Sequence, residues 1–101
     1  MKRQVRWSPK AASDLGEHVA LQKRVSVDAA SSISSKIIAS GESLSTFPER
    51  FEEFRMPRNF PFAVRKCVVD GRYIFLYAVK EDSVVIYRVL DARRKFGGLL
   101  R

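Results

Sequence analysis

The sequence predicts an α+β domain, an N-terminal strand and a helical hairpin packed on a small, mainly antiparallel sheet. Three observations carry that prediction. The last third, from Ala63 on, holds three runs rich in Val, Ile, Tyr and Phe, separated by turn residues. Residues 8–47 repeat apolar positions at spacings of three and four, the period of amphipathic helices. A chain of 101 residues supports one modest core and not two, so these parts must pack as a single domain over 1–101.

Residues 1–7 read as an edge strand, with strand-forming types from Gln4 to Trp7. Ser8 suits a helix N-cap and Pro9 the first helical position, where a missing N–H costs nothing. Ala12, Leu15 and Val19, with Ala11, form an apolar stripe that fades at Lys23 and Arg24, whose charges suit a helix C-terminus. Ser26 or Val27 opens a second helix with Asp28 in its first turn. Its stripe is Ala30, Ile33, Ile37, Gly41 and Leu44, widened by Ala29 and Ile38, and Pro48 closes it. Serine is frequent between Ser31 and Ser45, so this helix depends on packing more than on propensity. The short link makes the pair an antiparallel hairpin over 8–47.

Residues 48–62 form a connector without periodicity, carrying Phe51, Phe54, Phe60 and Phe62. A solvated loop would not hold so many rings, and most are expected to tuck under the sheet. Residues 63–91 make a three-stranded antiparallel sheet. Asp70-Gly71 is a two-residue hairpin signal that sets Val69 opposite Arg72 and Cys67 opposite Ile74. Glu81-Asp82 turns next, setting Val79 opposite Val84 and Phe75 opposite Arg88. This register puts Val64, Lys66, Val68, Tyr73, Phe75, Tyr77, Val79, Val84, Ile86, Arg88 and Leu90 on one face. Arg65, Cys67, Val69, Arg72, Ile74, Leu76, Ala78, Val85, Tyr87, Val89 and Asp91 fall on the other, with Arg72 and Asp91 opposed at one end. Both faces are apolar in the middle strand, and one hairpin covers only one of them. The other face is expected to need a protein partner. Residues 92–101 form a basic tail.

The net charge of +8 divides into +3 for residues 1–50 and +5 for 51–101, so it leans towards the C-terminal half. A basic surface fits an acidic partner, either nucleic acid or an acidic protein segment. No apolar run reaches the ~20 residues of a membrane span, and Met1–Trp7 lacks the apolar stretch of a signal peptide, so a cytoplasmic location is expected. One cysteine, Cys67, excludes an internal disulfide, and with one histidine, His18, it supplies no ligand set for structural zinc. Cys67 reads as a small buried hydrophobe, and His18 as a surface or half-buried side chain. No nucleophile–base pair, P-loop or dinucleotide loop is present, so neither cofactor nor metal is expected. Arg93-Arg94-Lys95, just past the last strand, is the remaining chemical feature, able to meet phosphates or carboxylates electrostatically.

The order of elements, with V-R-W-S-P-K-A-A-S-D-L at 5–15, L-S-T-F-P at 44–48, D-G-R-Y-I-F-L-Y-A-V at 70–79 and V-V-I-Y-R-V-L-D-A-R-R at 84–94, resembles the RelE/ParE superfamily of toxins from type II toxin–antitoxin systems. The resemblance implies one of two activities. The RelE-like branch cleaves mRNA on the ribosome with a basic side-chain set, for which Arg93, Arg94, Arg65 and Lys66 are the candidates here. The ParE-like branch poisons DNA gyrase without that set. Ile74 stands where the ribonucleases carry arginine, Cys67 where they tend to carry lysine, and Asp91 where many members of both branches have histidine. Apolar Ile74 cannot stabilise developing charge, and Asp91 would repel a scissile phosphate, which favours the ParE-like branch. Target contact is then expected at Arg93, Arg94, Lys95 and Phe96 with the tail behind them, and at Arg88. An acidic antitoxin, partly disordered when free, is expected to cover Ile74, Leu76, Tyr87, Arg65 and Arg72 in a toxin–antitoxin hetero-oligomer.

Overall fold

The computed structural model describes residues 2–54 and 63–93. The elements are β1 (Gln4–Trp7), α1 (Pro9–Lys23), α2 (Val27–Ser43), a 3₁₀ turn (Pro48–Arg50), β2 (Glu53–Phe54), β3 (Val64–Val69), β4 (Tyr73–Val79) and β5 (Ser83–Asp91). The five strands form one sheet in the order β1-β5-β4-β3-β2, antiparallel except for the parallel β1–β5 pair. The α+β class holds. The sheet gains one strand from within the connector, because Glu53 and Phe54 pair with Arg65 and Val64.

Both helices start where their caps dictate. Ser8 Oγ accepts from the Ala11 N–H at 3.0 Å, and Ser26 Oγ from the Ala29 N–H at 2.8 Å. The expected α2 stripe is buried at Ala30, Ile33, Ile37, Gly41 and Leu44. Gly41 is required by close approach: a Cβ there would lie 2.5 Å from the Trp7 ring. Trp7 in turn meets Phe75 edge-on, with ring centroids 5.7 Å apart. The α1 stripe differs from expectation. Ala12 is exposed, and the buried face is Ala11, Asp14 and His18, with Leu15 half-buried beside it.

The register differs at two places. Asp70 and Gly71 both have positive φ, and the Arg72 N–H bonds the Val69 carbonyl at 3.0 Å, as a two-residue turn requires. Arg72 then drops out of the ladder, because its carbonyl accepts from the Ala92 N–H at 2.7 Å, and Val69 pairs with Tyr73 instead. Cys67 therefore opposes Phe75, which moves all of β3 to the opposite face from that expected. The second shift is a bulge. Tyr77 pairs with Ile86 but Leu76 pairs with Arg88, so Tyr87 is the extra residue and Phe75 faces Val89 rather than Arg88.

The corrected helix-covered face carries Cys67, Val69, Tyr73, Phe75, Tyr77, Val84, Ile86 and Val89. Half-buried Phe51 closes its margin. The opposite face is not bare: Ile74, Leu76 and Leu90 are 8%, 2% and 8% exposed and form a second cluster with Phe54. Phe51 and Phe54 thus line the core as expected for connector aromatics, while Phe60 and Phe62 lie outside the described residues. No helix among the described residues is long and apolar enough to cross a membrane.

Candidate functional site at the basic end of the sheet

The turn after β3, the start of β4 and the end of β5 converge at one end of the sheet, where Tyr73 pairs with Asp91. Asp91 is 7% exposed, and its Oδ1 accepts from the Arg93 N–H at 2.9 Å. The Arg93 guanidinium closes over the same carboxylate at 3.4 Å while its side chain stays 64% exposed. Burial by itself would push the Asp91 carboxyl up. The backbone and side-chain bonds from Arg93, with the charges of Arg93 and Arg72, together outweigh it and hold the group below its ordinary value. Asp91 therefore serves as the anchor of Arg93, a role beyond the repulsion of an anion expected of it.

Arg72 is the second cation of this end. Its guanidinium stacks on the Tyr73 ring, 5.0 Å from the centroid. With the Gln22 amide oriented so that its oxygen faces Arg72, that oxygen accepts from both terminal nitrogens at 2.9 and 2.7 Å. The Arg72 Nε is buried without a hydrogen-bond partner among the described residues. Lys36 adds an exposed pair with Asp70 at 3.6 Å beside the same turn. The arrangement presents one exposed guanidinium backed by a half-buried one, both tied to fixed groups. Such a surface suits anionic groups electrostatically, and among the described residues it places no thiol or hydroxyl nucleophile beside Arg93.

Other expected site residues are engaged elsewhere. Arg88 makes a bidentate pair with Asp14, at 2.7 Å to Oδ2 and 3.1 Å to Oδ1, against α1. Arg65 donates to the carbonyls of Phe51 at 2.6 Å and Glu49 at 3.2 Å, a role in holding the connector. Arg65 opposes Tyr77, four residues along β4 from Tyr73 and so about 13 Å away. Lys66 opposes Leu76 on the other face and lies 5.5 Å from the Phe54 ring. The structure therefore does not gather Arg65 and Lys66 with Arg93. Arg94, Lys95 and Phe96 lie outside the described residues. Ile74 and Leu76 are already covered within the chain, whereas Tyr87 and Arg72 are half-buried and Val68, which pairs with Ile74, is 51% exposed. Burial pushes the Cys67 thiol up, opposed by the charge of Arg50, so it is a core group rather than a nucleophile. Among the described residues no three His, Cys, Asp or Glu side chains are grouped to hold a metal ion.

Residues 5–96 match the family model described as the ParE toxin of the type II toxin–antitoxin system, parDE. The chain belongs to the ParE toxin family. Among solved structures, a chain of the chromosomal ParDE toxin–antitoxin system from P. aeruginosa superposes with a TM-score of 0.72 at 18% identity, covering 89% of this chain and 96% of that one. At that identity the likeness establishes the fold: two helices on a five-stranded mixed sheet. A comparison with curated protein sequences gave no match. As a ParE-family toxin of a parDE system, the chain is one half of a pair, and the family implies a cognate antitoxin.

Sequence reasoning missed Gln22 and Asp14 at this end, and His18, expected at the surface or half-buried, is buried on the Val89 carbonyl. The available signal was their spacing: Ala11, Asp14, His18 and Gln22 recur every three or four residues along α1, a stripe hidden by its polar members.

Proposed function

We propose that this ParE-family toxin acts by poisoning DNA gyrase through its basic end, with Arg93 as the principal contact and Arg72, Arg94, Lys95 and Phe96 beside it. The observation that carries the reading is the exposed Arg93 guanidinium anchored on buried Asp91, whose carboxylate is taken up by its bonds to Arg93. Ribonuclease chemistry by the alternative set would need Arg65 and Lys66 near Arg93, and their engagement about 10–13 Å along the sheet weighs against it. An acidic antitoxin segment meets the +8 chain over exposed Val68 and half-buried Tyr87, and reaches Arg72 at the end of the sheet, where its guanidinium lies towards α1. The complex is a cytoplasmic hetero-oligomer.

Two assays run in parallel test the reading. Purified toxin is added to gyrase supercoiling and DNA-cleavage reactions, and to ribosome-bound mRNA followed by primer extension. Inhibited supercoiling with uncut mRNA is expected. Codon-positioned cuts in the mRNA with untouched gyrase would overturn it in favour of a ribosome-dependent mRNA interferase.

A further inference from the structure

β5 is nine residues long, yet β1 pairs only with its first half, from Ser83 to Ile86. Past that point the strand's outward N–H and C=O groups face α1, and a buried edge cannot leave them unpaired. The entry to α1 and the helix itself fill the gap with side chains. Ser8 Oγ donates to the Tyr87 carbonyl at 2.9 Å, Asp14 Oδ2 accepts from the Val89 N–H at 2.9 Å, and His18 Nε2 lies 2.8 Å from the Val89 carbonyl. A carbonyl only accepts, so Nε2 carries the proton, and the ring is further held against Tyr73 at 4.8 Å between centroids. Asp14 also takes both Arg88 nitrogens, fixing the residue that follows the bulge. Asp14 and His18 are 5% and 8% exposed, positions an ordinary amphipathic helix would fill with Leu or Val.

We propose that Asp14 and His18 are positioning residues for the toxic contact: by acting as a substitute strand for Val89 they hold the end of β5 in register, and with it Asp91, Ala92 and Arg93. The chain of contacts is short. Two residues past Val89, Asp91 anchors Arg93, and the Ala92 N–H bonds the Arg72 carbonyl at 2.7 Å. Without the clamp the two ends of that link, Arg72 and Arg93, lose their fixed separation. The proposal rests on the reading that Arg93 meets the target.

The test uses the full-length toxin and compares wild type, His18→Ala and His18→Gln, whose amide nitrogen replaces Nε2 as donor to the Val89 carbonyl. Amide hydrogen exchange is read residue by residue, and potency is read as half-maximal inhibition of gyrase supercoiling. His18→Ala is expected to exchange Ala92 and Arg93 about 10-fold faster while Phe75 in β4 stays within roughly threefold of wild type. Potency falls about 10-fold in parallel, and His18→Gln restores both readouts. Unchanged protection at Ala92 and Arg93, faster exchange spread equally over Phe75, or a glutamine no better than alanine would each overturn the positioning role. If His18→Ala does not fold, His18→Phe replaces it: the ring still fills the place against Tyr73 but donates nothing to the Val89 carbonyl, and the same local pattern is expected. A wild-type toxin that leaves gyrase untouched would defeat the gyrase reading alone, since the exchange pattern still decides the clamp.

Discussion

Along its outer edge β5 is paired by backbone over Ser83–Ile86 and by the side chains of Ser8, Asp14 and His18 over Tyr87–Val89. Backbone pairing to β1 is available to almost any sequence with the right alternation, and its failures come from packing rather than from lost bonds. Side-chain pairing depends on three particular residues, and a loss at Asp14 or His18 strands a buried group of Val89. The half with the more fragile arrangement is the one that carries Asp91 and Arg93. A single-residue bulge at Tyr87 marks the change from one mode to the other.

The largest break in the comparison is Asp14→Ala. It leaves Arg88 unpaired and the Val89 N–H unbonded, and is expected to lower unfolding free energy by about 3 kcal/mol in denaturant titration. The backbone-paired half is broken by crowding instead. Gly41→Ala pushes a methyl into the Trp7 ring beside β1 and should cost about 2 kcal/mol, with Trp fluorescence reporting the shift.

The junction between the halves responds to alkali. Tyr77, which pairs with Ile86, is fully buried with its hydroxyl donating to the Pro48 carbonyl, and burial, followed by the neighbouring Cys67, pushes it up to about 12. A raised folded value means the unfolded chain loses its proton first. Stability is therefore fully present below the ordinary value of 10 and lost as pH rises towards 12. The loss is on the order of 2–3 kcal/mol, and Tyr77→Phe should remove the pH dependence in that window.

Smaller effects sharpen the contrast. Ser8→Ala removes both the α1 cap and the bond to Tyr87, for about 1 kcal/mol. Asp91 is held below its ordinary value, so its contribution is present above the usual carboxylate range and lost as pH falls through the folded value. Amide exchange at Arg93 should therefore rise in acid before exchange at Val84 does, and Asp91→Asn should abolish the difference.

Much of the fold could be read in the chain because local chemistry and periodicity agreed: Ser8-Pro9, Ser26, the Ala30–Leu44 stripe and the Asp70-Gly71 turn all appear where their residues indicate. The two register shifts could not. V-V-I-Y-R-V-L-D alternates without a break, so nothing local announces that Tyr87 bulges, and Arg72 leaves the ladder for a carbonyl bond to Ala92, 20 residues away. β2 is two residues in a Pro- and Arg-rich connector, too short for any periodic signal. At the site, Arg93 was legible as a cation past the last strand. That Arg88 and Arg65 are consumed internally was not, because their partners lie 74 and 14 residues away and one set is backbone carbonyl.

The proposed toxic contact is the exposed guanidinium of Arg93, anchored on Asp91. Its most direct test is half-maximal inhibition of gyrase supercoiling by wild type and Arg93→Ala, with melting temperatures measured on the same samples. Inhibition by wild type is expected, with a loss of about 10-fold or more in the variant and matching melting temperatures. An Arg93→Ala variant as potent as wild type would contradict it.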